Sequence, residues 1–512
     1  MKNRSVLFLV TFGILVLLLS IRGNLGNPSE DVLNNSNWKE DGPFELSPDR
    51  GRFALTYSIV EDKSFFYSLP IARFATPDLG FKNGKYVSLF APGISFLVVP
   101  GYIIGKLFGI SQVGAFSVIS LFAVFNLILV RAISIKLGAN STAATIASIL
   151  FLFATPSFSY AVTLYQHHIS TFLILASIYI LMRWNSFKSL FIIWFLLAAS
   201  ISIDYPNLIL MFPIGIFAAG KFFILKNLKD SIHVSVKLIK VATLIGIILP
   251  LTFFLLFNYK SYANPLQFSG TVSSIGAIDD KGEPAVPRTA SPEQVDKFLN
   301  PEKQQKSALK FFATRNLLNG LYLHIFSPDR GIVSFTPVIL FGIVGAVILY
   351  GLKNKYLPLI ASIISLNILL YSMWGDPWGG WAFGSRYLIP AYSLMAIFAS
   401  ITLTKFRKNY LFIIVFFLIM MYSVFVNTLG ALTTNANPPQ VEVLQLEKVS
   451  GHPESYTFLR NADYLIRGNS KSFVFRAFAK KYLKATEYFL TLTSLILVVS
   501  SGLIVKLYLG KK

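Results

Sequence analysis

Long apolar runs recur from one end of the chain to the other, at 6–21, 112–135, 141–162, 168–184, 188–203, 206–221, 238–257, 332–352, 356–373, 387–404, 410–429 and 487–509. Most approach the roughly 20 residues that a helix needs to cross a bilayer, where only a helix or a closed barrel satisfies its own backbone. The pattern predicts an all-α polytopic membrane protein with twelve transmembrane helices. The first run follows Lys2 and Arg4, as in a signal peptide, but no small-residue cleavage site follows it, so it reads as an uncleaved span. A thirteenth stretch, "APGISFLVVPGYIIGKLFG" (91–109), is interrupted by Pro92, Gly93, Pro100 and Gly101.

Counting that stretch as a span would reverse the sidedness of everything after it, so charge decides. Without it, one side of the membrane carries both termini and the loops holding Arg131/Lys136, Arg183/Lys188, Lys221 to Lys240, Lys353/Lys355 and Lys405/Arg407/Lys408. That side has 19 of the 46 Lys and Arg and a single acid, Asp230; the other has the remaining 27 with 23 acids. Lys and Arg favour the cytoplasmic side, so 91–109 is expected to lie along the outer surface as an interfacial helix. The expected segments are a first span (1–22), a long outer loop with membrane-parallel helices (23–111), spans two to seven (112–257), an outer loop (258–331), spans eight to eleven (332–429) with a Trp-rich outer loop (374–386), an outer loop (430–486), and the last span with a cytoplasmic tail (487–512).

Composition agrees. Of the 512 residues, 54% are hydrophobic and only 14% charged, against about 25% charged in soluble domains. The net charge of +22 follows from the loop bias and implies no nucleic acid. With no Cys, disulfides and thiolate chemistry are excluded.

The chemistry-bearing side chains gather on the outer side. In "SPDRGRFALTYSIVEDKSFF", Ser47, Pro48 and Asp49 precede an amphipathic helical pattern expected to lie on the membrane. Asp49 there is either a helix cap or a reactive carboxylate held ionised at the positive helix end. Asp78 precedes a "KNGK" turn (Lys82 to Lys85), where it either starts the turn or serves chemistry. "LYQHHIS" sets Tyr165, His167 and His168 at the outer handover between two spans. Adjacent His side chains diverge on a helix, so one is expected to face a polar cleft and the other the headgroups. Asp204, in "SIDYPN", ends a span, where a carboxylate is affordable at the interface, and it either caps the next helix or serves chemistry. "FSPDRGIVSFTP" brings Asp329 and Arg330 to the start of another span. "MWGDPWGGWAFGSRYLIPA" supplies Trp378, Trp381 and Arg386 among four glycines. Tryptophan commonly anchors at the interface; glycines allow close backbone approach, and an outer Arg beside aromatic faces suits a phosphate gripped through two N–H groups.

As an ordered set, these motifs resemble the GT-C glycosyltransferases, over roughly residues 45–400. The layout is similar to protein O-mannosyltransferases and lipid A aminoarabinose transferases. A closer likeness is to a prokaryotic branch, matched by "DRGRFALTYSIVE", "DLGFKNGKYVSLFAPG", "TLYQH", "FSPDRGIVSFTPV" and "WGGWAFGSRYLIPA". One departure is Leu89-Phe90, where that branch often has Asp-Lys before Ala-Pro-Gly. The resemblance implies transfer of a sugar from a polyprenyl-phosphate-linked donor to a glycan, lipid or protein hydroxyl, on the extracytoplasmic face of the plasma membrane. It assigns Asp49 as catalytic base and Asp78 as the second acid. Arg386 and His167, with Lys85, Tyr165, Arg330 and Trp381, become candidates for binding donor phosphate or acceptor. A divalent cation (Mg, Mn or Ca) shared by Asp49 and Asp78 fits oxygen ligands, though no spacing compels it. The rival classes are a secondary transporter, a glycan polymerase or ligase, and a non-catalytic subunit. A transporter usually carries mid-membrane ionisable groups, and no run here has a clear one.

Overall fold

A computed structural model describes residues 2–228, 231–286, 295–296 and 311–510. The chain is mostly helical. Five described helices are long and apolar enough to cross a membrane: Ser111–Lys136, Leu238–Tyr262, Arg386–Phe406, Tyr410–Leu432 and Ala485–Leu509. Shorter apolar helices, Arg4–Ser20, Ser141–Phe153, His167–Arg183, Phe187–Ile203, Asn207–Gly220, Pro337–Gly351 and Leu357–Ser372, overlie the other apolar runs. The run at 141–162 does not continue as one helix. It stops at Phe153, before Pro156, which can neither donate to the helix nor let its predecessor stay helical.

Arg386–Phe406 is the central helix, with 89% of its apolar window buried. Its neighbour packs backbone to backbone. A Cβ on Gly345 would fall 1.9 Å from the Phe398 carbonyl oxygen, so a larger residue there would push the helices apart. The 91–109 stretch forms two short helices, Gly93–Leu97 and Val99–Leu107. The second lies against Ser111–Lys136 through Gly101 and Gly114, whose backbones nearly touch.

Two expectations are corrected. The helix Ser47–Tyr57 is not a surface amphipath, because every residue from Asp49 to Tyr57 is buried. Its charged side chains are accommodated by distant backbone carbonyls: Arg50 donates to Phe44, Glu45 and Thr76. The fold is also not purely α. Strands Leu79–Lys82 and Lys85–Ser88 form a hairpin whose two-residue turn places Asn83 and Gly84 at φ 51° and 73°, the left-handed pair such a turn favours. Ser274–Ile275 adds a third antiparallel strand, pairing with Leu79 and Gly80 and so docking the 258–331 loop onto the first loop. A second hairpin, Phe223–Leu228 with Ser231–Val236, occupies the expected inner loop, and a third pairs Ala277–Ile278 with Pro284–Ala285.

Candidate active site

Asp49 sits in the first turn of its helix but does not cap it. Leu46 is the N-cap residue, and one Asp49 oxygen, Oδ1, accepts the backbone N–H of Leu164 at 3.1 Å. Its other oxygen, Oδ2, is buried without a protein partner. Burial pushes this carboxyl up to about 7, against the pull of Arg52, Arg22 and Arg386. A carboxylate held there exchanges protons near neutrality, as a general base must.

Next to Leu164, Tyr165 is the hub. The guanidinium carbons of Arg52 and Arg386 lie 5.4 and 5.0 Å from its ring centre, and His167 stacks on it at 5.8 Å. Burial, reinforced by the Asp49 charge, holds its phenol well above the usual range, so it remains an O–H donor. Its hydroxyl and His167 Nε2 have no protein partner. Arg386 donates through Nη2 to the Gly379 carbonyl at 2.7 Å, leaving Nε and Nη1 unpartnered. Gly379, at φ +73°, belongs to this contact: a Cβ there would press on Tyr387 at 3.0 Å and on Arg386 Nε at 3.3 Å. Buried polar groups are nearly always hydrogen-bonded, so five free atoms from four side chains mark a place built for a polar ligand.

Arg52 is committed to the protein. It donates to the Pro48 carbonyl at 2.9 Å and to Gln166 Oε1 at 2.5 Å, and it rests on Phe90. Gln166 in turn donates to Asp204 Oδ2 at 3.1 Å. Burial raises Asp204, with Gln166 and Arg52 opposing. Sequence reasoning overlooked Arg52 and Gln166; both lay inside quoted motifs, three residues after Asp49 and one before His167.

Other expected residues lie elsewhere. Asp78 accepts the Ser47 hydroxyl at 2.5 Å, tying the hairpin to the start of the Asp49 helix. Asp49 and Asp78 thus have separate partners, and no group of three His, Asp or Glu suited to a metal occurs among the described residues. Lys85 is exposed, its amine 4.1 Å from the Phe66 ring centre. Trp381 is half-buried and occupied elsewhere, donating to Glu442 at 2.7 Å with Arg460 over its face. The rings around Arg386 are tyrosines, Tyr165 and Tyr387, rather than tryptophans. His168 does not meet headgroups: it is fully buried, and Nε2 lies 2.8 Å from the Ser157 carbonyl. Arg330 pairs with Asp329 at 2.8 Å and donates to the carbonyls of Trp378, Gly380 and Asn437. It pins the Trp-rich loop in place.

A second buried charge cluster escaped sequence reasoning. Glu45 takes Arg22 at 2.7 Å, Lys471 at 2.5 Å, and the Thr434 hydroxyl and Asn435 N–H at 2.6 Å each. Burial opposes ionisation there, yet Lys471 and Arg22 prevail and hold Glu45 down to about 2. The cluster joins the residue that follows the first helix, the first loop and the 430–486 segment.

An apolar groove of about 440 Å³ opens between the helices beside the site, lined by Phe96, Phe122, Phe172, Leu196 and Phe253 among others. It includes Ile169, two residues beyond His167, and Ser202 and Ile203, which lead into Asp204.

No protein-family model matches the sequence, and no curated protein matches it. Among solved structures, the chain is similar to ArnT from Cupriavidus metallidurans. The apo form gives a TM-score of 0.44 at 11% identity, covering 98% of this chain and 78% of that one. The form bound to undecaprenyl phosphate gives 0.45 at 12%, covering 100% and 78%. The oligosaccharyltransferase AglB from Archaeoglobus fulgidus, in complex with an inhibitory peptide and a dolichol-phosphate, gives 0.39 at 12%, covering 98% and 56%. Likeness at this level assigns no role to any residue.

Proposed function

We propose that this chain is an integral membrane glycosyltransferase of the GT-C kind, moving a sugar from a polyprenyl-phosphate-linked donor to an acceptor hydroxyl with inversion. The observation that carries this reading is the convergence of unpartnered polar atoms on Asp49, Tyr165, His167 and Arg386, beside a groove walled almost wholly by apolar side chains. A phosphate on a long hydrocarbon tail needs both surfaces at once. In the proposed reaction Asp49 Oδ2 takes the proton of the acceptor hydroxyl as its oxygen bonds to the anomeric carbon. The bond from that carbon to the phosphate oxygen breaks on the opposite face, and the phosphate leaves with the electron pair. Arg386 Nε and Nη1 and the Tyr165 hydroxyl offset the growing charge, as donors placed where charge develops do. His167 Nε2, which has no protein partner, adds a hydrogen bond.

In this reading all twelve apolar helices span the membrane, both termini are cytoplasmic, and Asp49 faces the extracytoplasmic side. Reporter fusions after Lys136 and Lys408 should both read as cytoplasmic, and an external signal from either would overturn the topology. The free Oδ2 of Asp49 suits a divalent cation as well as a proton, and chelation separates the two.

The direct test is mass spectrometry of lipid extracted from the purified protein. A polyprenyl phosphate bearing a sugar, lost in Arg386→Met, is expected. A transporter reading predicts a soluble solute instead, and its retention without any polyprenyl lipid would displace the proposal.

A further inference from the structure

The helix His167–Arg183 has the candidate active site at its first residue and a second cavity at its last. Sixteen residue steps separate the two by about 24 Å, most of the hydrocarbon thickness. This cavity, about 440 Å³, is lined by Arg183, Lys221 and Lys355, by the rings of Trp184, Phe217 and Tyr356, and by no Asp or Glu. Three turns converge to form it: the ends of His167–Arg183 and Asn207–Gly220, and the turn before Leu357–Ser372. Lys221 is half-buried and fixed, donating to the carbonyls of Leu181 at 3.0 Å and Trp184 at 3.1 Å. One of its three N–H groups is then left over. Arg183 lies over the Trp184 ring at 4.8 Å and Lys355 beside Tyr356 at 5.1 Å. Among the described residues, none of the three is in an ion pair.

We infer that this cavity holds the phosphate headgroup of an anionic membrane phospholipid. Three cations around one cavity, none of them in an ion pair among the described residues, attract an anion, and basic pockets between helices at the cytoplasmic end of a bundle bind such headgroups. The wall favours an amphiphile over a free anion. Phe217 is 37% and Trp184 45% exposed, giving apolar surface for an acyl chain beside the basic rim. Trp184 also has the ring that commonly sits at headgroup depth. The site lies at the end opposite Asp49, and its occupancy is independent of glycosyl transfer.

The test uses full-length protein, delipidated in detergent and offered equal phosphatidylglycerol and phosphatidylcholine, with native mass spectrometry as the readout. Selective retention of phosphatidylglycerol is expected. The double variant Lys221→Gln/Lys355→Gln should bind it roughly 30-fold more weakly, at about a fivefold loss per removed charge. Lys355 is exposed in a turn, so Lys355→Gln alone tests the site if the double variant does not fold. Phosphatidylglycerol with brominated chains should quench Trp184, an effect lost in Trp184→Phe. Equal retention of both lipids, or wild-type retention by the variants, overturns the inference. So does displacement of the lipid by millimolar glycerol phosphate, which would make the occupant a small soluble anion. Retention is read without turnover, so it stands or falls separately from the proposed reaction.

Discussion

Replacing Asp49 by Asn separates a catalytic carboxylate from a structural one by the sign of its effect on stability. The amide is isosteric and its oxygen still accepts the Leu164 N–H, so the helix keeps its tie. Only the charge and the proton-accepting oxygen are removed. In the folded protein burial raises this carboxyl from 3.8 to about 7. A raised acid stabilises the fold most below its unfolded value, and that contribution drains away as pH climbs to the folded value. Three units correspond to about 4 kcal/mol between the extremes, and between about pH 5 and pH 8 roughly 2–3 kcal/mol is lost. The amide does not titrate, so the variant should gain on the wild type by that amount over this interval. In thermal melts of detergent-purified protein, this appears as a gap of a few degrees that opens as pH rises. Turnover should meanwhile fall by about 10²–10⁴, the usual worth of a general base. In the wild type it should decline about tenfold per unit as pH drops below 7, where Asp49 is protonated. An Asp49→Asn protein that turns over at near the wild-type rate, or that melts well below the wild type at pH 8, refutes this assignment.

Arg386→Lys keeps the charge but loses the planar donor set, and donor affinity should fall roughly 10- to 150-fold, measured by competition with the unsubstituted polyprenyl phosphate. Arg330→Met strips Asp329 of its buried partner and should cost about 3–5 kcal/mol of stability, read as a lower Tm. Arg386→Met, which breaks only one hydrogen bond to protein, should leave Tm within a degree or two while abolishing donor binding. Turnover should survive EDTA; loss restored by Mg²⁺ or Mn²⁺ would turn Asp49 from a base into a metal ligand.

The apolar helices were legible because bilayer-length runs leave few other ways to satisfy a backbone, and the interruptions in 91–109 were readable as breaks, whereas the stop before Pro156 lay unnoticed inside the run 141–162. The KNGK hairpin was also visible, since Asn83-Gly84 suits a left-handed two-residue turn. What local pattern could not reveal was the source of distant partners. "SPDRGRF" looks like a wet, charged helix start until the carbonyls of Phe44 and Thr76 and the amide of Gln166 arrive to take the two arginines inside. Trp381 was a candidate because of its residue type, yet its indole N–H is taken by Glu442, 61 positions away. Glu45 stood out in no motif, because Arg22 and Lys471 come from opposite ends of the chain.

The two arginines of the outer motifs show how function can be told from support when residue type and burial agree. Arg330 and Arg386 are both buried, and both hold the Trp-rich loop by its carbonyls. Arg330 uses Nε, Nη1 and Nη2 on the protein, and its charge is met by Asp329. Arg386 uses one nitrogen and meets no carboxylate within bonding distance among the described residues. A buried guanidinium with two donors unmade costs about 1–3 kcal/mol or more for each, which no packing argument recovers. Two free charged donors, Nε and Nη1, suit the oxygens of a phosphate. The tyrosines flanking them, Tyr165 and Tyr387, present ring faces rather than a competing charge. The same accounting applies to Asp49, whose Oδ1 supports the fold and whose Oδ2 faces nothing in the protein. In the proposed reaction the base Asp49 and the anion clamp Arg386 are each tied to the scaffold through one atom and open at another. That is the condition under which a substrate is oriented without the site first having to rearrange.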